Sequence, residues 1–170
     1  MLVRRNLFIP SKVRYVRGDK PDVPCILCGI VERSELVQSL EIFRSPLFCV
    51  SANLYPYSPG HLLLFPIRHF EDVRDMSEAE AAELFHLQNV ALEILDHLYS
   101  PGGYNIGYNL GRCGGNSIAH LHLHIVPRFR NELGFADIIG NGRIIVDDPV
   151  VSLPRLRELF ASQTRVPASS

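Results

Sequence analysis

Three histidines at strict alternation, His120, His122 and His124, lie within the segment Gly114 to Arg128. The residues between them are leucines, and such alternation is typical of a half-buried strand whose successive side chains lie on opposite faces. We therefore expect the leucines to pack inward and the three imidazoles to form a row on the other face. Because alternate side chains lie roughly 7 Å apart along a strand, one small anionic group could contact two of the rings.

A glycine-rich turn precedes this row and carries a hydroxyl group. Gly114, Gly115, Asn116 and Ser117 form the turn, and its backbone N–H groups could approach a ligand closely. A neutral imidazole can attack phosphorus and leave again if one ring nitrogen is free while the other donates a hydrogen bond. Ser117 and the glycine amides could then bind charge on phosphate oxygens. The row alone is also compatible with a solvated sheet face or a metal site, but the adjacent turn favours phosphate chemistry.

A second set of residues has the spacing of metal ligands. Cys25 and Cys28 form a C-x-x-C pair, which allows two thiolates to bind one tetrahedral ion. The sequence has no second C-x-x-C, and His69 and His120 are candidates to complete a Cys₂His₂ zinc site. A thioredoxin-like redox pair is the alternative, although no β-α-β context surrounds the cysteines.

The composition is that of one globular domain. The chain has 170 residues, 46% of them hydrophobic, and no apolar run approaches the length of a membrane span. The N-terminal residues lack the continuous apolar region and the cleavage site of a signal peptide. The chain has four cysteines, too few for a disulfide scaffold, so we expect a protein of the reducing cytoplasm without a membrane partner.

Charge is unevenly distributed along the chain. The formal net charge is −1, but the first twenty residues carry a net charge of +5 and the other 150 a net charge of −6. A basic arm can neutralise a polyphosphate or contact nucleic acid. No nucleic-acid recognition motif accompanies the charge. A solvated or dimer-packed arm is therefore favoured, and a nucleic-acid partner is not expected.

The elements that must position these residues are strands around one long helix. Four runs with strand character precede the histidine strand, at residues 36–43, 47–51, 61–65 and 104–109. Ser77 and Glu80 form a capping box that opens the helix, and Pro101 ends it. Further on, residues 138–146 predict a hairpin around an Asn-Gly turn, and 153–162 predict a short helix before a frayed tail. This order indicates an α+β domain with a mainly antiparallel sheet.

The segment from His120 to Val126 closely resembles the signature of the histidine-triad (HIT) family, in which three histidines alternate with apolar residues. The segment from Asn53 to Pro66 resembles the loop and strand with which the family binds the nucleoside. Residues 7–15, which lead into the C-x-x-C pair, resemble the start of a bacterial branch. Ile138-Ile139-Gly140 is similar to diadenosine tetraphosphate phosphorylases and hydrolases. The resemblance covers roughly residues 7–145.

The resemblance implies a fold and a domain organisation. The implied fold is α+β, a HIT-like five-stranded antiparallel sheet with one long helix and short flanking helices. We expect a basic N-terminal arm at residues 1–24, a HIT-like nucleotide-binding domain at 25–145, and a C-terminal extension with a short helix at 146–170. Members of the family usually pair as homodimers through the long helix and a central strand.

The resemblance also implies an activity. Members are nucleotide hydrolases or nucleotidyl transferases that act at the α-phosphate through a covalent nucleotidyl-histidine intermediate. The implied substrate is a dinucleoside polyphosphate such as diadenosine tetraphosphate, with phosphate as acceptor in a phosphorylase and water in a hydrolase. The alternatives are a nucleoside phosphoramidate hydrolase, a nucleotide-binding sensor without catalysis, and a metalloenzyme whose histidine row holds a catalytic ion.

Catalytic roles follow from matching the motif residue by residue. His122 would be the nucleophile that carries the nucleotidyl group. His120 and His124 would flank it, one in contact with phosphate and one helping to orient the pocket. Ser117 would assist the leaving group.

Binding roles and metal ligands are implied in the same way. His61 matches a fourth family histidine, and Asn53 matches the position that binds ribose hydroxyls. Positions expected around the phosphate are Asn109, Gly115, Asn116, Ser117 and His124. Asn116 departs from the family pattern, because many members carry glutamine there. The ligands of zinc-bearing members correspond to Cys25, Cys28, His69 and His120, which implies a structural zinc and no organic cofactor.

Overall fold

The computed structural model describes residues 21–130 and 148–164. Five strands in these ranges form one antiparallel sheet, in the spatial order β1-β2-β3-β5-β4. The strands are β1 (Glu41–Arg44), β2 (Phe48–Ala52), β3 (Leu62–Pro66), β4 (Gly103–Tyr108) and β5 (Leu123–Arg128). The α-helices are α1 (Ile26–Val31), α2 (Glu78–Tyr99) and α3 (Pro149–Gln163), and 3-10 turns lie at Val73–Asp75 and Arg112–Gly114. The expected α+β fold, with five antiparallel strands and one long helix, is confirmed.

Several sequence expectations fall outside the described residues. These are the basic arm up to residue 20, the hairpin at 138–146 with its Ile138-Ile139-Gly140 segment, and the tail from residue 165 onward.

The centre of the sheet is formed by β2 and β3, in which every residue is buried. The two strands pair in continuous register from Phe48 opposite Pro66 to Ala52 opposite Leu62. A tight turn joins β1 to β2, where the Ser45 N–H donates to the Phe48 carbonyl at 2.9 Å. Burial on both faces explains the unbroken apolar runs of these strands.

The long helix α2 covers one face of the sheet. The Ser77 hydroxyl and the Glu80 carboxylate form the expected reciprocal capping box. The buried apolar side chains of α2 are Leu84, Leu87, Val90, Ala91, Ile94 and Leu95. Leu156 and Phe160 of α3 lie in the same core cluster, so the C-terminal helix packs on the domain. It is also longer than the helix predicted at residues 153–162.

The short helix α1 covers part of the opposite face. Leu27 and Ile30 pack there against Cys49, Leu63 and Phe65 of the sheet. Cys25 is the N-cap of α1, and Cys28 lies in its first turn. A helix of six residues carries too little periodicity to be recognised from sequence, and its stability depends on tertiary contacts.

The histidine strand is shorter than the alternation predicts. Strand β5 begins at Leu123, so His120 and His122 precede it, and pairing with β3 ends at Leu64 opposite Leu123. Pro66 has no N–H with which to extend the ladder. Its carbonyl oxygen accepts instead from the His120 side chain at 3.0 Å. The alternation of side chains is thus kept while the strand pairing stops.

None of the helices in the described part of the chain is long and apolar enough to cross a membrane. All four cysteines lie in that part, and each is a free cysteine.

Candidate functional site

A cavity of about 310 Å³ lies between α1 and the sheet face that α1 covers. One end is apolar, with walls from Ile26, Leu27, Ile30, Leu36, Val37, Leu40 and Leu63. The other end is polar and is lined by Asn53, Asn109, Gly115, Ser117, His122 and His124. An apolar wall with a few convergent polar groups is typical of a small-molecule site.

His122 lines the polar end and is 6% exposed. Its Nδ1–H donates to the backbone carbonyl of His120 at 2.7 Å. This hydrogen bond fixes the tautomer, since the proton is on Nδ1 and Nε2 keeps a free lone pair. Burial also lowers the pKa of His122, because it disfavours the charged ring. The imidazole is therefore held neutral with one nitrogen able to act as a nucleophile.

His124 is held in the opposite tautomer by a relay from the preceding loop. The Tyr57 backbone N–H donates to His61 Nδ1 at 3.0 Å, which leaves the His61 proton on Nε2. That Nε2–H donates to His124 Nδ1, also at 3.0 Å. His124 therefore carries its proton on Nε2. Asn109 Nδ2 lies 3.2 Å from this nitrogen. Because two donors would face each other, the amide is assigned in the flipped orientation, in which its Oδ1 accepts the proton.

Asn53 and His61 occupy connected positions beside the histidines. Asn53 lines the cavity, and its Oδ1 accepts from the Tyr55 backbone N–H at 3.0 Å. Its Nδ2 lies 3.2 Å from His61 Nδ1. His61 is 2% exposed and does not line the cavity. It acts on the site through His124.

The glycine turn is built differently from the expectation. Gly115 has a φ of +87°, a left-handed conformation that favours glycine. The N–H groups of Gly114, Gly115 and Asn116 donate to carbonyls of Gly111 and Arg112 within the turn. These amides therefore stabilise the turn, and Gly115 and Ser117 are the turn residues that line the cavity.

Asn116 stabilises the turn and does not line the cavity. Its Oδ1 accepts from the Ile118 backbone N–H at 3.1 Å. It is absent from the residues that line the cavity. The shorter amide, where many family members have glutamine, is thus used to form the loop that presents Ser117.

The four expected metal ligands lie together at the rear of this site. The ligand atoms of Cys25, Cys28, His69 and His120 all lie within 4.8 Å of one another. His120 Nδ1 is 3.5 Å from each of the two sulfur atoms, and His69 Nδ1 is 3.2 Å from Cys28 Sγ. Ligands at 2.0–2.3 Å from a tetrahedral zinc ion lie about 3.3–3.8 Å apart, so the cluster fits zinc.

The donor chemistry of the cluster also fits. The His120 Nε2–H donates to the Pro66 carbonyl, so the Nδ1 lone pair is directed at the sulfur atoms. Burial raises the pKa of Cys28 to about 11 in the metal-free chain, and an ion would bind the thiolate in place of the proton. Four protein ligands fill a tetrahedral shell, which supports a structural zinc.

The alternative of a catalytic ion on the histidine row finds no support. Among the described residues, the ligand cluster that can hold an ion contains His120 but neither His122 nor His124. The structure thus separates the row by position. His120 turns to the cysteines, while His122 and His124 line the cavity.

A second, more open groove of about 430 Å³ adjoins the polar end. Tyr57, Asn109 and His124 line both the groove and the first cavity. The groove continues along β4 and β5 to Arg128, whose guanidinium donates to Asn105 Oδ1 at 2.8 Å. It brings a positive charge to the side of His124 away from the apolar cavity.

Several lining residues were not predicted from the sequence. The apolar wall includes Ile26 and Leu27, which lie between the two cysteines. Their position between two predicted metal ligands could have identified them as lining residues, because a bound metal would hold them beside the histidines. Asn105 and Arg128 had no comparable signal, since their positions depend on the register of β4 on β5.

Comparisons with known proteins agree with this geometry. Residues 35–131 match the HIT domain family. The chain is 38% identical over 109 residues to AP-4-A phosphorylase of Mycobacterium tuberculosis (strain CDC 1551 / Oshkosh), covering 64% of this chain and 56% of the relative. It is 29% identical over 103 residues to the asymmetrical bis(5'-nucleosyl)-tetraphosphatase of Schizosaccharomyces pombe, covering 61% of this chain and 57% of the relative. The chain thus spans little more than half the length of these relatives.

A solved structure agrees with the fold. The Zn-bound histidine triad family protein from Mycobacterium smegmatis superimposes with a TM-score of 0.66 at 26% identity, covering 82% of this chain and 95% of that protein. The match to the HIT domain family takes in more than half of the chain and includes His61, His120, His122 and His124. The chain belongs to the HIT domain family.

Proposed function

We propose that the chain binds a nucleotide and transfers its nucleotidyl group through His122, with a dinucleoside polyphosphate such as diadenosine tetraphosphate as substrate. The observation that carries the proposal is the pair of opposite tautomers at the polar end of the cavity. His122 presents a lone pair, while His124 presents an N–H. A nucleophile and a donor for phosphate oxygens therefore lie side by side, with ring centroids 4.8 Å apart.

The first step is attack on the α-phosphate. His122 Nε2 forms a bond to phosphorus, and the bond from phosphorus to the bridging oxygen breaks, with its electron pair leaving on the polyphosphate. The His124 Nε2–H turns from Asn109 to a non-bridging oxygen, and the Ser117 hydroxyl donates to the leaving oxygen. The imidazole keeps its Nδ1 proton, so the His120 carbonyl bonds the ring throughout.

The second step releases the nucleotide. An oxygen of water or of inorganic phosphate bonds to the same phosphorus, and the phosphorus–nitrogen bond breaks, which restores neutral His122. Water gives up a proton and yields a nucleoside monophosphate, as in a hydrolase. Phosphate yields a nucleoside diphosphate, as in a phosphorylase.

The shape of the cavity orients the nucleotide. The apolar end accommodates the base, because its walls are aliphatic side chains of α1 and the segment after it. Asn53 lines the same cavity beside His61 and binds the ribose hydroxyls. The phosphate then lies at His122, His124 and Ser117.

The groove supports a substrate that extends beyond the α-phosphate. It begins at His124 and contains Arg128, a cation suited to the charge of a leaving polyphosphate. A phosphoramidate with a small leaving group would not use the groove, and a sensor would not need the free nitrogen of His122. The two relatives whose names specify tetraphosphate chemistry support the same substrate class.

We also propose that the chain forms a homodimer through β4. This strand is at the edge of the sheet, and its Ile106 is 40% exposed. Edge strands of this kind pair readily with a second copy. Pairing would make β4 a central strand of a continuous sheet, and sedimentation of the full chain as a monomer at micromolar concentrations would contradict this.

Substitution of the nucleophile tests the activity. We expect His122→Ala to lose turnover of diadenosine tetraphosphate by at least about a thousandfold while binding of adenosine monophosphate stays within a few-fold. His97→Ala is the matched control, because His97 is exposed on α2. Assays with and without inorganic phosphate identify the acceptor from the adenine products. Turnover by His122→Ala at the rate of the control would overturn the proposal.

A further inference from the structure

His120 links the metal cluster directly to the nucleophile. Its Nδ1 lies 3.5 Å from both Cys25 Sγ and Cys28 Sγ. Its Nε2–H donates to the Pro66 carbonyl at 3.0 Å, and its own backbone carbonyl accepts the Nδ1–H of His122 at 2.7 Å. The side chain is fully buried, and turning its ring would break its contacts with both sulfur atoms and with the Pro66 carbonyl.

The His120 carbonyl that fixes the tautomer of His122 has two supports. The Leu121 N–H of the same peptide unit donates to the Phe70 carbonyl at 2.7 Å, and the His120 ring is anchored at the cluster. Thiols are weak hydrogen-bond partners and would hold the His120 ring loosely. A metal ion bonded to Nδ1 and to both sulfur atoms would hold the same ring at a fixed position. The carbonyl that accepts from His122 belongs to that residue.

Helix α1 provides a second connection between the cluster and the cavity. Cys25 is its N-cap and Cys28 lies in its first turn, while Ile26, Leu27 and Ile30 form part of the apolar wall. A helix of six residues has little stability of its own. Ligation of the cysteines would tie this wall to His69 and His120, which lie on the far side of the cluster.

We propose that the Cys₂His₂ cluster is a positioning device for the site, with His120 as the positioning residue. Metal binding holds the His120 carbonyl so that His122 is confined to one tautomer, and it holds α1 so that the apolar wall is closed around the base. A zinc with a solely structural role would stabilise the fold and leave the tautomer of His122 unchanged. The role of His122 as nucleophile comes from the proposed function, whereas the coupling does not depend on it.

The tautomers can be read directly by NMR. Nitrogen-15 spectra of histidine side chains distinguish protonated from unprotonated ring nitrogens in the zinc-loaded protein and in the chelator-stripped protein. In the loaded protein we expect His122 with its proton on Nδ1 alone, and in the stripped protein a mixture of both tautomers. His124 is the internal control, because its tautomer is set by Tyr57 and His61 rather than by the cluster.

Nucleotide affinity gives a second readout. Titration with adenosine monophosphate should show at least about tenfold weaker binding after stripping, with recovery when zinc is restored. Circular dichroism establishes whether the stripped protein is folded. If it unfolds, the same measurements are made on His69→Ala, which removes an exposed ligand and leaves the buried His120 in place. Excess zinc should then restore both the tautomer and the affinity.

A single His122 tautomer and unchanged affinity in folded, metal-free protein would overturn the inference. Turnover is not part of this experiment. A protein that shows the metal-dependent tautomer but forms no nucleotidyl adduct would therefore contradict the proposed function and leave the positioning role intact.

Discussion

His122 and His124 are two residues apart, yet different hydrogen-bond partners determine which ring nitrogen carries the proton in each. A backbone carbonyl of the same segment holds the proton of His122 on Nδ1, whereas His61, from a distant loop, holds that of His124 on Nε2. The alternation in the sequence predicted which side chains would gather. It could not predict which nitrogen of each ring is free, because that depends on contacts across the fold.

The neutral state of His124 has a consequence for stability. Burial lowers the pKa of His124 to about 4 from the ordinary 6.5. Between these values the unfolded chain binds a proton that the folded chain does not, so the free energy of unfolding should fall as the pH drops from 6.5 towards 4. The groups that face the ring are His61, His122, Asn109 and Tyr57, and no carboxylate is among them.

We expect His124→Asn to reduce that pH dependence by up to about 1.4 kcal/mol per pH unit. Urea unfolding of zinc-loaded protein at several pH values in this interval measures the slope. The control is His86→Asn, since His86 is exposed on α2. Equal slopes for His124→Asn and the wild type would show that the ring is not held neutral.

Arg128 should matter for the leaving polyphosphate and not for the bound nucleotide. Replacing it with glutamine removes the positive charge of the groove, and a hydrogen bond to a charged group is worth about 1.5–3 kcal/mol. We expect Arg128→Gln to lower kcat/KM for diadenosine tetraphosphate by about 10- to 100-fold while affinity for adenosine monophosphate is unchanged. Arg155→Gln, at an exposed site on α3, is the control. An equal loss for both ligands would place Arg128 in a general structural role instead.

At the scale of elements, local signals predicted most of the fold. The capping box at Ser77 depends on neighbours along the chain, and it is confirmed. The start of β5 was not predictable, because Pro66 of another strand ends the pairing. Helix α1 was missed because its support is tertiary, from the sheet and from the metal ligands.

The turn that leads into β3 packs closely against helix α2. Gly60 has a φ of +72°, and a Cβ there would lie 2.9 Å from side-chain atoms of both Leu95 and Tyr99. We expect Gly60→Ala to lower the free energy of unfolding by about 2–4 kcal/mol, from left-handed backbone strain and overpacking. The change should also displace the adjacent His61 and reduce turnover.

Chemical denaturation of Gly60→Ala beside Gly103→Ala tests this expectation. Gly103 is a suitable control, since a Cβ at that position meets no atom within 4 Å. A Gly60→Ala protein as stable as the control would contradict the packing described for the turn.

At the scale of the molecule, the site lies where two separate signals of the sequence meet. The histidine row and the C-x-x-C pair are 92 residues apart from Cys28 to His120, yet His120 belongs to both. The motifs in the sequence predicted the family and the four metal ligands. The cavity could not be predicted, because its apolar wall depends on how α1 packs on the sheet. The roles of the lining residues are predictions that the geometry makes specific.

The most direct measurement is identification of the residue that carries the nucleotide during turnover. Enzyme in excess over diadenosine tetraphosphate is quenched within the first turnover into alkaline denaturant, where a phosphorus–nitrogen bond persists, and its peptides are mapped by mass spectrometry. We expect an adenylyl group on His122 in the wild type and in His97→Ala, and none in His122→Ala. Product formation without an adduct, or an adduct on another residue, would contradict it.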